Sequence, residues 1–314
     1  MKLIKPKFWD KNFLTFQSIL LYPFTFILDL RNLFLYFCKT KKYDQIKTIC
    51  IGNIYLGGTG KTPLTIKMYQ IIKMMGLNVV TAKKFYSNQF DEQILLKEKT
   101  RTIISDSRLN AINQALNKSK EVIIFDDGLQ DKDIDYDLKI VCFKNKNWIG
   151  NGQLIPSGPL REKIESLKKY DVVFLNGRNE NSKSIIEIIH KKNSNIKIFD
   201  SYYEINNFNE LKINSKYLIF SGIGDPSSFR EILLEKKINI VKEIIFPDHY
   251  NYKENDLKYI IEEAHRLKAE ILTTEKDFVK LSDHDNKKIN FLKIELKIVE
   301  EQNFMKFLND KLYR

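Results

Sequence analysis

The sequence predicts an α/β fold in which helices cover both faces of a parallel sheet. Two observations support this prediction: short apolar strands alternate with helical stretches, and a glycine-rich turn joins the first strand to the first helix. The first series of strands is predicted at Lys47–Gly52, Asn78–Ala82, Glu121–Asp126, Lys139–Phe143 and Asp171–Asn176. Its helices are predicted near Pro63–Met75, Ser107–Asn117 and Glu162–Lys169.

A second, shorter series of elements predicts a smaller α/β domain. Its strands and helices are predicted near Lys216–Ser221, Ser227–Lys236, Ile238–Ile245, Glu254–Arg266 and Glu270–Thr273. The asparagine-rich interval Ser201–Asn214 is the best boundary by composition. We therefore expect an N-terminal helix in residues 1–46, a larger α/β domain in 47–205 and a smaller one in 206–314.

The turn after the first strand has the chemistry of a phosphate-binding loop. Glycines allow consecutive backbone N–H groups to approach phosphate oxygens, and the following helix N-terminus adds partial positive charge. Lys61 would reach the β- and γ-phosphates, and the Thr62 hydroxyl would bind Mg²⁺. Tyr55 stands where the strict pattern requires a glycine, so the loop is a variant. The sequence thus predicts a P-loop NTPase-like sheet domain whose nucleotide-binding residues are Gly57, Gly58, Thr59, Gly60, Lys61 and Thr62.

Two further segments carry candidate residues for phosphoryl chemistry. Asp126 and Asp127 end an apolar strand, where a carboxylate can hold Mg²⁺ directly or through water. The proline- and glycine-rich segment 152–162 delivers Arg161 and Glu162 to a helix start. Arg161 can neutralise phosphate charge, and Glu162 can orient it or bind the metal. The alternative for this segment is a rigid crossover with a surface ion pair.

The smaller domain contains one candidate proton acceptor. His249 lies beside a proline-fixed turn and an acidic residue after the strand Ile238–Ile245. A histidine there could accept or relay a proton from an attacking hydroxyl, although an exposed loop histidine is the simpler interpretation. The segment 274–277 could form a substrate-facing rim or only a helix cap.

The N-terminal residues combine an apolar run with basic flanks. Residues 1–48 hold nine basic residues against three acidic ones, half of the net charge of +12 (the basic residues are Lys2, Lys5, Lys7, Lys11, Arg31, Lys39, Lys41, Lys42 and Lys47). Asp29 and Arg31 interrupt the run before the roughly 20 apolar residues of a spanning helix. An interfacial helix on an anionic membrane surface fits this pattern. The alternative is a helix packed on the protein's own core; nucleic acid is a weaker candidate partner.

Taken together in chain order, these segments resemble the tetraacyldisaccharide 4′-kinase family. The resemblance covers about residues 14–281, and the variant phosphate loop is the family's own form. The motifs that carry it are Ile51-Gly52-Asn53, Gly57-Gly58-Thr59-Gly60-Lys61-Thr62-Pro63, Asp126-Asp127-Gly128-Leu129-Gln130, Ile155-Pro156-Ser157-Gly158-Pro159-Leu160-Arg161-Glu162, Gly222-Ile223-Gly224-Asp225-Pro226, Asp248-His249-Tyr250 and Thr274-Glu275-Lys276-Asp277.

The resemblance implies a two-domain P-loop kinase that acts peripherally on the cytoplasmic face of the inner membrane. It would use ATP and Mg²⁺ to phosphorylate the 4′-hydroxyl of a tetraacyldisaccharide 1-phosphate, a lipid A precursor, and we expect a monomer. Asp91 and His249 would activate that hydroxyl, with Lys61 and Arg161 also catalytic. The metal residues would be Thr62, Asp126, Asp127 and Glu162. We assign Asn53, Gln130 and Arg108 to substrate binding.

The sequence departs from the family pattern at several positions. Lys83-Lys84-Phe85-Tyr86 replaces the family's Ser-Arg-Gly-Tyr, Phe90 and Gln93 replace the glycine and proline beside Asp91-Glu92, and Asp131 replaces a histidine. Two alternatives to the kinase remain: a membrane-associated P-loop ATPase or GTPase regulator, and a non-enzymatic basic module with a vestigial loop. No Asn-Lys-x-Asp follows a later strand, as guanine recognition would require.

Overall fold

The structure, a computed structural model, describes residues 5–37, 40–87, 89–177, 182–212, 214–281 and 288–313. Lys2 and Lys39, two of the basic residues in the predicted membrane-associating segment, lie outside the described residues. The chain divides into two compact units. The larger unit comprises Lys5–Phe85, Leu96–Tyr202 and Leu296–Arg314, and the smaller unit comprises Tyr86–Leu95 and Tyr203–Glu295. These are not the predicted linear ranges, because residues 86–95 join the smaller unit and 296–314 the larger one.

Strands and helices alternate through most of the described chain, as the α/β prediction requires. The strands are β1 Lys47–Gly52, β2 Val79–Lys84, β3 Thr102–Ser105, β4 Val122–Asp126, β5 Leu138–Lys144, β6 Val172–Asn176, β7 Lys197–Ile205, β8 Lys216–Ser221, β9 Asn239–Ile245, β10 Glu270–Thr274, β11 Ile289–Leu292 and β12 Ile294–Ile298. The helices are α1 Phe16–Leu21, α2 Thr25–Tyr36, α3 Lys61–Met74, α4 Phe90–Lys99, α5 Arg108–Asn117, α6 Ser182–Lys192, α7 Pro226–Glu235, α8 Glu254–Leu267, α9 Glu275–Phe278 and α10 Glu301–Leu312.

An eight-stranded sheet forms the centre of the larger unit, in the order β12-β7-β6-β5-β1-β4-β2-β3. The strands from β7 to β3 in this order pair in parallel. β1 lies between β4 and β5, and β1 and β4 are buried almost throughout, because helices cover a parallel sheet on both faces. The carboxyl ends of β1 and β4 therefore meet at one edge, which places the phosphate loop beside Asp126 and Asp127.

The C-terminal helix α10 belongs to the core of the larger unit. Phe304 is fully buried, and its ring lies 5.1 Å from that of Phe174 on β6 and 4.9 Å from that of Phe199 on β7, measured between centroids. Fully burying such a side chain contributes about 1.5–3 kcal/mol relative to leaving it exposed. This aromatic packing explains why the last residues of the chain join the larger unit.

The smaller unit has its own four-stranded parallel sheet, in the order β11-β10-β8-β9. Two apolar clusters flank it. One contains Phe229 and Leu233 of α7, and the other contains Leu257 and Ile260 of α8. The prediction of a second, smaller α/β domain is thus confirmed.

One predicted helix differs in the structure, and several helices were not predicted. The helix expected at Glu162–Lys169 is a short 3₁₀ helix, Ile164–Lys169. It begins later than predicted because the backbone of Lys163 is extended. The helix α4 around Asp91 is absent from the prediction.

The N-terminal segment is helical and exposes most of its apolar surface. A 3₁₀ turn, Tyr22–Phe24, separates α1 from α2. In the described part of the chain, Phe16–Leu35 is the one stretch that is long and apolar enough to cross a membrane, at 20 residues and a mean hydropathy of 1.3, and only 11% of its apolar window is buried. Most of the apolar surface of this segment is therefore not packed inside the core.

Polar side chains of this segment hold it to the larger unit. Asn32 donates to the backbone oxygen of Arg161 (3.0 Å), and Asp29 pairs with Lys163 (2.6 Å). Nearer the start, the Trp9 indole donates to the Pro156 oxygen (3.0 Å). Asp29, one of the residues that interrupt the apolar run, is thus among those that contact the rest of the larger unit.

Candidate active site

The phosphate loop is fixed from within by Asn53. This side chain is fully buried, and its amide donates to the Gly57 oxygen (3.2 Å) and to the Thr59 hydroxyl (3.1 Å). Gly60 ends the loop at a φ of +91°, a conformation that favours glycine, and α3 begins at Lys61. Gly58 is exposed at the tip. The loop thus presents the N-terminus of α3 to any bound anion.

The residue at the missing glycine position has a structural role. Tyr55 is buried, packs against Leu154 and Leu160, and forms an antiparallel bridge with Leu160. Two backbone hydrogen bonds extend this pairing, from Leu56 to Pro159 (2.8 Å) and from Arg161 to Ile54 (2.7 Å). A side chain at position 55 therefore ties the loop to the segment that carries Arg161.

Asp126 forms a buried cluster at the end of β4. Its Oδ2 accepts hydrogen bonds from the Thr62 hydroxyl (3.0 Å) and the Lys83 ammonium (2.8 Å), and its Oδ1 lies 3.4 Å from the Thr65 hydroxyl. The Lys83 and Asp126 side chains are 2% and 0% exposed. The predicted pair Thr62 and Asp126 is thus in direct contact, together with a lysine that sequence reasoning did not assign to the site.

Asp127 has a more open environment. It adopts a φ of +66°, and its side chain is 24% exposed. Lys61 Nζ lies 3.7 Å and Arg161 Nη1 3.5 Å from its Oδ2. Lys61 and Arg161, the two predicted catalytic cations, therefore lie near the more exposed of the two acids.

Gln130 connects the phosphate loop with Glu162. Its amide donates to the Asn53 oxygen (3.0 Å) and to Glu162 Oε1 (2.9 Å). The same Glu162 oxygen accepts from the Tyr170 hydroxyl (3.0 Å). Burial and the neighbouring Glu162 charge raise the pKa of Tyr170, which therefore stays a donor at neutral pH.

Arg108 supports the turn that follows Asp127. The buried guanidinium donates to the Asp127 backbone oxygen (2.7 Å) and pairs with Asp131. A Cβ at Gly128 would lie 2.6 Å from Arg108 Nε, so any larger residue there would displace the Arg108 side chain. Asn53, Gln130 and Arg108, predicted to bind substrate, all make contacts within the protein at this site.

The smaller unit brings Asp91 and His249 together. His249 Nδ1 lies 2.8 Å from Asp91 Oδ1 and 3.0 Å from Oδ2. The Asp91 side chain is 1% exposed in the first turn of α4, and that of His249 is 16% exposed. His249 has a φ of +56°, and its N–H donates to the Gly222 oxygen (3.1 Å), which fixes the turn.

Two lysines from the Thr274-Glu275-Lys276-Asp277 segment and its continuation flank this pair. Lys276 and Lys280 place their Nζ atoms 3.6 and 3.8 Å from Asp91 Oδ2. Burial would raise the pKa of Asp91, but the hydrogen bond from His249 and the two lysine charges lower it below its ordinary value. Asp91 is therefore a carboxylate at neutral pH and accepts the N–H of His249 Nδ1, which leaves Nε2 as the basic nitrogen.

The loop residues suit a magnesium ion that is shared with a nucleotide. Among the described residues, no group of three or more His, Cys, Asp or Glu side chains forms a metal cage. Mg²⁺ usually takes one or two carboxylates together with phosphate and water oxygens. The Thr62 hydroxyl and the Asp126 and Asp127 carboxylates, which meet beside the phosphate loop, supply such donors.

Comparisons with known proteins identify the family of this chain. The family model for tetraacyldisaccharide-1-P 4′-kinase matches residues 17–313. The chain belongs to this family. A tetraacyldisaccharide 4′-kinase of Pelagibacter ubique is 46% identical over 306 residues, which cover 96% of each chain. One of Rickettsia bellii is 32% identical over 300 residues, which cover 90% of this chain and 91% of that one.

A solved structure has the same fold. The crystal structure of LpxK from Aquifex aeolicus in complex with ATP matches with a TM-score of 0.71 and 24% identity, over 94% of this chain and 99% of that one. The predicted fold class, a P-loop NTPase-like parallel sheet with a smaller α/β unit, is thereby confirmed.

From the sequence of this kinase family member we did not identify the contact of Lys83 with Asp126 or that of Lys280 with Asp91. Lys83 was noted only as a departure from a motif, and Lys280 was not noted. A signal exists for Lys83, since it lies near the end of β2, which pairs with β4. For Lys280 the signal is its spacing of four residues from Lys276, which places both on one side of a helical turn.

Proposed function

We propose that the protein transfers the γ-phosphate of ATP to the 4′-hydroxyl of a tetraacyldisaccharide 1-phosphate in lipid A biosynthesis. Membership in the kinase family over almost the whole chain favours this over an ATPase or GTPase regulator. The observation that carries the proposal is the Asp91–His249 pair, because a nucleotide hydrolase that only regulates has no need of a base for an alcohol. Phosphoryl transfer to a sugar hydroxyl does need one.

The larger unit would bind the nucleotide. Backbone N–H groups of Gly57, Gly58, Thr59 and Gly60 would face the phosphates, and Lys61 and Arg161 would offset the charge on the transferred group. Thr62, Asp126, Asp127 and Glu162 would hold Mg²⁺ directly or through water. When bound, the metal would neutralise charge on the phosphate oxygens.

The protein groups of the smaller unit would handle the proton. His249 Nε2 would accept the proton of the attacking 4′-hydroxyl, and Asp91 would hold the ring in the accepting tautomer and stabilise the imidazolium. Asn53, Gln130 and Arg108 would act mainly by holding the phosphate loop and the turn after β4, since their side chains contact these segments.

We also propose that the N-terminal segment places this kinase on the cytoplasmic face of the inner membrane, on an anionic surface. Exposed apolar side chains cover α1 and α2, including Phe16 (79% exposed), Phe26 (63%) and Phe34 (71%). Water disfavours such a surface, whereas a membrane interface accommodates it. The polar contacts of Asp29 and Asn32 with the rest of the larger unit support a peripheral position. We propose that the enzyme acts as a monomer.

A direct assay tests the activity. The protein is incubated with ATP labelled at the γ-phosphate and a tetraacyldisaccharide 1-phosphate in mixed micelles, and the lipid is then separated. We expect label on the lipid, and about 10³-fold less in the same time with His249→Ala. Release of labelled inorganic phosphate at the same rate with and without lipid, and no labelled lipid, would refute the kinase.

A further inference from the structure

The two acids at the end of β4 differ in what already surrounds them. Asp126 is fully buried, and three side chains engage it: Lys83 and Thr62 at Oδ2, and Thr65 at Oδ1. The Asp127 side chain is 24% exposed, and its ion pairs with Arg161 and Lys61, at 3.5 and 3.7 Å, are longer than that of Asp126 with Lys83. The two carboxylates are therefore not equivalent towards a metal ion.

The position of Lys83 follows from the sheet. Ala82 on β2 lies opposite Phe125 on β4, so the next residues of the two strands, Lys83 and Asp126, are neighbours. A side chain that is 2% exposed has little access to solvent, so its ammonium stays with the carboxylate it pairs with. A buried ion of either sign is costly unless it is paired, which ties the two groups together.

We propose that Lys83 is a positioning residue of the nucleotide site. Its ammonium neutralises Asp126 and keeps this carboxylate as an acceptor for the Thr62 hydroxyl, so that Asp127 is the carboxylate that serves the metal. The inference rests on the proposed function, because it presumes that Mg²⁺ and ATP bind at this loop. It departs from the simpler expectation that both acids serve the metal equally.

The physical reason is competition between two cations for one carboxylate. A metal that approached Asp126 Oδ2 directly would have to displace an ammonium at 2.8 Å and a hydroxyl at 3.0 Å. Asp127 is more open to solvent than Asp126, and so are Lys61 and Arg161, the cations of its ion pairs described above. Without the Lys83 charge, Asp126 would carry an uncompensated negative charge near the loop and would attract the divalent ion more strongly.

The test measures binding rather than turnover. The affinity of a fluorescent non-hydrolysable ATP analogue is determined with excess Mg²⁺ and with a chelator, and the ratio of the two affinities is the metal increment. We expect Asp127→Asn to lower the metal increment about tenfold, and the double variant Lys83→Met/Asp126→Asn, which removes both charges of the buried pair, to change it by less than about threefold. Lys83→Met should raise the increment about tenfold, and Lys83→Arg should restore the wild-type value.

Two controls separate this role from a general loss of structure. Lys84→Met removes the next lysine of the same strand, whose side chain points to the other face, and should leave the increment unchanged. Melting curves identify any variant that does not fold. If Lys83→Met unfolds, the comparison of Lys83→Met/Asp126→Asn with Asp127→Asn still decides the matter, because the double variant leaves no unpaired buried charge.

The outcomes distinguish a failure of the Lys83 proposal from a failure of the proposed kinase function. Equal losses of the metal increment in Lys83→Met/Asp126→Asn and Asp127→Asn would overturn the role of Lys83 alone. An unchanged increment in a folded Lys83→Met variant would do the same. If the wild-type protein bound the analogue neither with nor without Mg²⁺, the proposed function would fail, and the Lys83 proposal with it.

Discussion

Replacing Asp91 by asparagine separates two contributions that the carboxylate makes to His249. Asp91 Oδ1 accepts the N–H of Glu92 (2.9 Å) as well as that of His249 (2.8 Å). The amide of the variant would therefore keep its oxygen at the Oδ1 position, where the imidazole N–H can still donate to it. Asp91→Asn should thus preserve the tautomer of His249 and remove only the negative charge.

The structure sets the size of the expected effect. Two unit charges about 4 Å apart interact by about 4 kcal/mol at an effective dielectric constant of about 20, which corresponds to about 10³-fold in rate. The amide oxygen retains part of this stabilisation, so we expect Asp91→Asn to lower kcat by about 10²-fold. Asp91→Ala and His249→Ala should each lower it by about 10³-fold, within the usual range for a general base.

The assay compares single and double variants at saturating ATP and lipid acceptor. Because the two residues act as one unit, the double variant Asp91→Ala/His249→Ala should be scarcely slower than either single variant. Binding of an ATP analogue and the melting temperature, measured separately, should change little. Multiplicative losses in the double variant, or an Asp91→Ala variant with wild-type kcat, would refute the coupling and leave the kinase assignment standing.

Three further predictions concern other parts of the molecule. Lys61→Ala should abolish phosphoryl transfer with an unchanged melting curve, because Lys61 offsets charge at the transferred phosphate; activity within a few-fold of wild type would contradict this. Serine at Phe16, Phe26 and Phe34 should weaken sedimentation with anionic liposomes, while serine at the exposed residues Leu234, Tyr259 and Val299 should not. Despite burial, the bond from His249 and the lysine charges lower the pKa of Asp91, so its carboxylate stabilises the fold above about pH 4 and loses this contribution as pH falls through the lower folded pKa. The wild-type melting temperature should therefore fall more steeply below pH 4 than that of Asp91→Asn, and parallel curves would contradict the reasoning.

The sequence predicted the parts of the fold that local pattern determines. β1 was predicted with its exact bounds, and β2, β4, β5 and β6 were each predicted to within one or two residues, because buried parallel strands appear as short apolar runs. The strand β7 and the helix α10 were not predicted. Their place in the larger unit depends on the packing of Phe199 and Phe304, residues about a hundred positions apart, and no local pattern reports such a contact.

The site shows the same division. The glycine-rich turn and the two acids after β4 could be identified because backbone conformation and strand ends restrict the residue types there. The basic side chains that pair with Asp126 and Asp91 could not be identified from the sequence. Lys83 approaches Asp126 from another strand, and Lys276 and Lys280 approach Asp91 from a segment nearly two hundred residues away.

The altered motif around Asp91 shows why a sequence pattern and a site geometry can diverge. The glycine and proline of the family motif are replaced by Phe90 and Gln93. In the structure the buried Gln93 amide donates to the backbone oxygens of Tyr86 (2.7 Å) and Gln89 (3.3 Å), and this holds the start of α4. A side chain thus supplies the constraint that a glycine and a proline would impose on the backbone, and Asp91 lies within hydrogen-bond distance of His249. What selection must preserve at such a site is the position of the carboxylate, and more than one local sequence provides it.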